Sequence, residues 1–426
     1  MPALDGVRAV AVMAVLLYHA GLSVWGGFLG VETFFTLSGF LITALLLAEW
    51  QQHQQINVPL FWIRRARRLL PALFLLLIGV TILGQVLIPT EMETARGDTL
   101  AALGYIMNWH LIVSGQSYFD PMLRPPLLQH LWSLAIEEQF YLLWPLMFML
   151  GMRYLRRFGF LAIILVAAVA SSVLMAALYQ PGSDPSRVYY GTDTRASALL
   201  IGAALALVWS PWRKPVSTRR GVGVAFDGMG LLALGGLLYA YGNLFEYDPR
   251  LYRGGFAFVT VATALVIMAA THPRARLLPA LLGMRLLRWI GERSYGIYLW
   301  YWPIFMLTRP YVDVSFDGWQ LLLLRFGSVL IIAELSYRFV EMPIRRGALG
   351  VVWQRARTAI AQYSSATVRS SVPAYQRVSF SGGNWSSPLA ASMETAPQPE
   401  PPVRRKTHTR RAKHATGKRR RFRQRA

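Results

Sequence analysis

Ten long apolar stretches recur along the chain, at 4–24, 31–48, 69–89, 131–151, 158–178, 194–210, 226–243, 254–271, 293–311 and 319–340. A helix needs about 20 apolar residues to cross a bilayer, and fewer inside a bundle. Hydrocarbon offers backbone groups no water, so each stretch must close its own hydrogen bonds, and only helices or closed barrels do so. The expected fold is therefore an all-α integral membrane protein of about ten transmembrane helices. Composition agrees: 15% of residues are charged and mean hydropathy is +0.36, whereas soluble domains carry about a quarter charged residues.

The links between stretches alternate in charge. Arg64, Arg65, Arg67 and Arg68 follow the second stretch; Arg153, Arg156 and Arg157 the fourth; Arg213, Lys214, Arg219 and Arg220 the sixth. Arg274, Arg276, Arg285 and Arg288 follow the eighth, and Arg345 and Arg346 the tenth. The opposite links are poorer in Lys and Arg and hold Glu91, Glu93, Asp184, Glu246 and Asp248. The positive-inside rule then places both termini in the cytoplasm. Residues 98–117 are apolar enough to cross, but crossing would invert every later basic link. They are expected to form a re-entrant or interfacial segment on the outer side.

The membrane domain is expected to occupy 1–346. Residues 347–403, rich in Ser and Pro toward their end, read as a disordered linker, and 404–426 as a basic cytoplasmic tail. That tail holds twelve Lys or Arg and no acid, so 23 − 12 leaves +11 of the formal net charge of +23 for the rest. A plain solvated end is the favoured reading, ahead of attraction to anionic lipids and of nucleic-acid binding. The start lacks a basic n-region and a cleavage site, so it reads as a span and not a signal peptide. There is no Cys, which excludes disulfides and thiolate chemistry. No metal-ligand spacing of His and carboxylates occurs, and no internal repeat of a transporter kind is evident.

Ionisable residues inside apolar helices mark where chemistry belongs. Arg8 and His19, eleven positions apart, share one helix face about 16 Å apart along the axis. A polar intramembrane site and a pair of interfacial anchors are both open readings of that face. In FWIRRARRLLP (61–71), Arg64 and Arg68 are at i,i+4, and arginine grips phosphate bidentately; ordinary topology signalling also explains them. His130, Ser133, Glu137 and Tyr141 form one stripe in the next long helix, with Glu138 roughly 100° away. Counting residues from the expected membrane surfaces puts His19 about 20–22 Å in from the cytoplasm and Glu137 about 9 Å below the outer face, so the two are expected to meet. Asp193 and Arg195 open a later span, as substrate ligands or as an interfacial pair. ERSYGIYLWYWP (292–303) is an aromatic cluster for a cavity wall or for packing.

Together these segments resemble the membrane-bound acyltransferase-3 family, the O-acetyltransferases of bacterial surface glycans. Arg8 and His19 match its Arg–ten residues–His signature. GGFLGVETFFTLSGFLIT (26–43), the Arg64–Arg65–Arg68 loop, SLAIEEQFY within 133–141 and TDTRASALLIGA (192–203) resemble its further motifs in order. Glu32 stands where the family usually has Asp, and Tyr301 where many members have His. Many members carry a fused SGNH-type domain; none is expected in 347–426.

The resemblance implies a multi-pass protein of the bacterial inner membrane. It would move an acetyl or short acyl group from cytoplasmic acyl-CoA, a donor substrate and not a bound cofactor, to a glycan or glycolipid hydroxyl. His19 and Glu137 would be catalytic, as base and as imidazole orienter or acceptor ligand. Arg8, Arg64, Arg65 and Arg68 would hold the donor. Glu32, Ser38, Asp193, Arg195 and Tyr301 would contact substrate. A transporter or flippase with an intramembrane His/Glu pair is the competing class, and an acyl relay to a separate extracytoplasmic transferase a third.

Overall fold

The computed structural model describes residues 1–89, 92, 95–119, 124–209 and 220–347. The linker, the basic tail, Glu91, Glu93, Arg213, Lys214 and Arg219 lie outside the described residues. Among the described residues the chain is helical and has no strand. Its helices are α1 (Pro2–His19), α2 (Gly30–His53), α3 (Val58–Leu87), α4 (Ala95–Leu103), α5 (Met107–Val113), α6 (Leu131–Tyr154), α7 (Arg157–Leu178) and α8 (Ser186–Tyr190). There follow α9 (Thr192–Val208), α10 (Arg220–Asn243), α11 (Phe256–Ala270), α12 (Leu277–Leu282), α13 (Arg285–Met306), α14 (Trp319–Ser336) and α15 (Met342–Arg345).

Ten of these have 15 or more residues, and each falls on one of the ten apolar stretches. Seven helical segments, built on α1, α2, α3, α7, α10, α11 and α14, are long and apolar enough to cross a membrane. Of the other three, α6 and α13 carry charged residues, Glu137 and Arg293 among them, which lower their hydropathy, and α9 has only 17 residues. They are also extensively buried by their neighbours. By contrast α7, the most hydropathic, buries only 22% of its apolar window. Length and hydropathy thus pick out both buried helices such as α2 and outward-turned ones such as α7.

Residues 98–117 do not make one long helix. They fold as α4 and α5, of nine and seven residues, about 14 and 10 Å long at 1.5 Å per residue. Neither spans about 30 Å of hydrocarbon. A polar knot holds this segment: Gln139 donates to Tyr105 O (2.9 Å) and Asn108 Oδ1 (3.0 Å), and Thr192 Oγ1 donates to Gln139 (2.6 Å).

Small residues bring the helix backbones together, as membrane bundles require. A Cβ on Gly39 of α2 would lie 1.9 Å from Leu199 O of α9, and one on Gly202 of α9 would lie 2.0 Å from Thr36 O of α2. A Cβ on Gly291 of α13 would lie 1.8 Å from Asp5 O of α1. Prolines add a second device. Pro145 and Pro303 lack the N–H that would bond the carbonyl four residues earlier. Trp62 Nε1 donates to the freed Tyr141 O (3.3 Å), and His130 Nε2 donates to the freed Leu299 O (3.0 Å).

Candidate active site

Where α1, α2, α3, α6 and α13 converge, they line a cavity of about 220 Å³. Its polar lining is Arg8, Ser38, Arg65, Arg68, Glu137 and Ser294, with Ser133, Tyr141, Tyr295 and Tyr298; Phe34, Phe35 and Leu41 contribute apolar wall. The Gly291 contact sets one side of it. One helical turn on, Arg8 Nε donates to Ser294 Oγ at 3.0 Å. On the other side Ser38, next to the close-packed Gly39, donates to Glu137 Oε1 at 2.8 Å. Three guanidinium groups face one carboxylate here, so the cavity carries a net positive formal charge suited to an anionic or strongly polarised ligand.

A second pocket, more open and about 960 Å³, lies at the α2–α3 connection. Glu49, His53, Asn57, Arg64 and Arg65 line it. Arg65 lines both spaces, and its guanidinium rests 5.5 and 5.8 Å from the Phe61 and Tyr141 rings.

His19 does not line the cavity. It ends α1, half-buried, with Nδ1 2.8 Å from Val15 O and Nε2 3.0 Å from Tyr118 Oη. A carbonyl only accepts, so Nδ1 carries the proton, and Nε2 accepts from the tyrosine hydroxyl. Tyr301 and Trp302 pack on the ring at centroid distances of 5.3 and 5.1 Å. Tyr301 in turn packs on Tyr298 at 5.4 Å. Tyr298 reaches Ser133 Oγ at 2.6 Å and donates to His130 O at 3.0 Å. An aromatic wall thus stands between the cavity and the imidazole.

The family model described as "Acyltransferase domain" matches residues 1–337. The chain belongs to the acyltransferase-3 family. Relatives include the peptidoglycan O-acetyltransferase OatA of Listeria monocytogenes, 44% identical over 351 residues, which is 81% of this chain and 56% of the relative. The putative peptidoglycan O-acetyltransferase YrhL of Bacillus subtilis is 44% identical over 351 residues, 81% of this chain and 55% of that protein. The O-acetyltransferase OatA of Staphylococcus aureus is 37% identical over 348 residues, 81% and 57%. The chain thus spans little more than half the length of these curated relatives. No solved structure matches it.

In this acyltransferase-3 chain the motif residues separate into three places. Arg8, Ser38, Arg65, Arg68 and Glu137 meet in the cavity, and Arg64 sits in the open pocket beside it. His19 and Tyr301 lie together beyond the aromatic wall. Glu32 and Arg195 reach neither place, because they pair with each other. Arg195 Nη2 is 2.9 Å from Glu32 Oε2, and both side chains are fully buried. Thr260 donates to Glu32 Oε1 at 2.8 Å, and the Phe256 and Tyr189 rings lie 4.2 and 4.9 Å from the guanidinium. Asp193 takes Arg187 in a bidentate pair at 2.7 and 3.1 Å, not Arg195.

The expected meeting of His19 and Glu137 does not occur. Counting depth from the start of α6 assumed that this start lies at the membrane surface. Leu127, Leu128, Gln129 and His130, which precede it, are buried, so α6 begins inside the bundle and Glu137 sits deeper, level with Arg8 and Ser294. The stripe of Ser133, Glu137 and Tyr141 does line one cavity, while His130 turns to α13. Tyr118, Ser294 and Tyr298 were not singled out as site residues. The aromatic run 292–303 was the available signal for the last two, and it both lines the cavity and packs. Tyr118, in the connection between α5 and α6, had none.

Proposed function

We propose that the protein is a membrane O-acyltransferase, moving an acetyl or other short acyl group from acyl-CoA to a hydroxyl of a cell-wall glycan. The observation that carries this is the continuity of cationic lining through Arg65, from the larger pocket at the α2–α3 connection into the cavity. A coenzyme A thioester is a phosphate-rich head on a long thin arm that ends in a polarised carbonyl. Arg64 and Arg65 hold the phosphates in the open pocket by charge-assisted hydrogen bonds. The arm passes Arg65 and Arg68, and the thioester carbonyl comes to rest beside Arg8. The printed names of the relatives, peptidoglycan O-acetyltransferases, supply the acceptor class.

His19 serves the acceptor end. Its Nδ1 proton is held by Val15 O, so Nε2 is the basic atom, and the Tyr118 hydroxyl from which it accepts marks the place an acceptor hydroxyl would take. Donor and acceptor then engage opposite ends of α1, about 16 Å apart along the axis. With the basic links in the cytoplasm, the donor end faces the acyl-CoA pool of the inner membrane and the His19 end faces outward.

Purified full-length protein in detergent, given acetyl-labelled acetyl-CoA and soluble peptidoglycan fragments, is expected to release free CoA and place an alkali-labile acetyl ester on the glycan. The absence of both CoA release and labelled glycan would overturn the reading.

A further inference from the structure

Among the described residues, Ser38 and Glu137 form the one serine–carboxylate hydrogen bond between residues lining the cavity, at 2.8 Å. We propose, resting on the acyl-CoA reading above, that Ser38 is a nucleophile that carries the acyl group as an ester, with Glu137 as its base and Arg8 as the group that stabilises the oxyanion.

The arrangement differs from that of a carboxylate kept for structure. Glu32 in the same bundle is matched by the guanidinium of Arg195 at 2.9 Å and is sealed among aromatic rings. Glu137 has no ion pair among the described residues, although three arginines line its cavity. It accepts instead from a neutral hydroxyl, the geometry in which a base activates a nucleophile. Arg8 is oriented by its own bond from Nε to Ser294, so its Nη groups are the donors left for a carbonyl oxygen. Nucleophile, base and oxyanion donor therefore surround one space.

The step balances without a further reagent. Ser38 Oγ attacks the thioester carbonyl carbon while its proton passes to Glu137. The tetrahedral oxyanion is held by Arg8. It collapses with cleavage of the C–S bond, and the proton on Glu137 passes to the departing sulfur. The products are an acyl ester on Ser38 and free CoA thiol.

The test uses full-length protein in detergent with acetyl-CoA and no acceptor. The expected result is a burst of free thiol near one equivalent per protein and an acetyl group mapped by tandem mass spectrometry to Ser38. Ser38→Ala abolishes both. Glu137→Gln slows the burst by about 10²–10⁴-fold, as expected for loss of a general base. Ser38→Cys, tested because Ser38→Ala risks misfolding, forms a thioester that neutral hydroxylamine cleaves. Acetyl on another residue, or Ser38→Ala with undiminished acetyl transfer to glycan fragments, overturns the proposal and leaves the acyl-CoA reading standing. If no variant, the wild type included, releases CoA with or without acceptor, both fall.

Discussion

Arg8 and Ser294 hydrogen-bond at 3.0 Å because one turn earlier, at Asp5 and Gly291, the backbones of α1 and α13 touch. Gly291→Ala would put a methyl 1.8 Å from Asp5 O, a backbone atom that cannot swing away. The helices must separate, at an overpacking cost of about 1–3 kcal/mol, and Arg8 loses Ser294. The variant is expected to unfold at lower temperature in detergent and to lose acetyl transfer well beyond what Ser294→Ala loses. A thermal melt alongside the labelled-acetyl assay checks both.

The arginines separate by place. Arg65→Ala and Arg68→Ala remove cavity-lining charges. A charge-assisted hydrogen bond is worth about 1.5–3 kcal/mol, so each is expected to raise KM for acetyl-CoA by about tenfold or more. Arg64, exposed in the open pocket, should contribute less. Steady-state kinetics with varied acetyl-CoA reads this directly, and an unchanged KM in all three would reduce the loop to a topology signal.

His19→Ala is expected to lower transfer to the glycan by about 10²–10⁴-fold while leaving acetyl-CoA binding intact, since His19 is not in the cavity lining. Tyr118→Phe removes the hydroxyl on Nε2 and keeps the ring packing, so its effect should be smaller than that of His19→Ala. Equilibrium binding of acetyl-CoA, set beside the transfer rate, distinguishes a base at the acceptor end from a donor ligand.

Arg195→Met strands the buried Glu32 carboxylate, and breaking such a pair costs about 3–5 kcal/mol. Adding Glu32→Gln to it should restore part of the lost stability. A double-mutant cycle on thermal unfolding in detergent measures the coupling. Independent, additive losses would argue that the pair serves a ligand and not the α2–α9 contact.

The helices were legible because hydrocarbon leaves a chain few choices, and all ten long helices fall where apolar stretches predicted. The cavity was half legible. Spacing placed Ser133, Glu137 and Tyr141 on one face, and a helix imposes that face whatever surrounds it. Depth was not legible. Nothing in the sequence says that residues 127–130 are buried, and that alone moved Glu137 from His19 to Arg8. Partner choice was equally hidden: Asp193 and Arg195, two positions apart, turn to Arg187 and Glu32, because adjacent helical positions face different neighbours.

Arg65 belongs to the walls of two spaces at once. A compound with an anionic group in the larger pocket and a short apolar arm in the smaller cavity would be held at both ends. Binding of the first end raises the effective concentration of the second to the millimolar range for a short linker. Two weak fragments joined across Arg65 would therefore bind far more tightly than either alone.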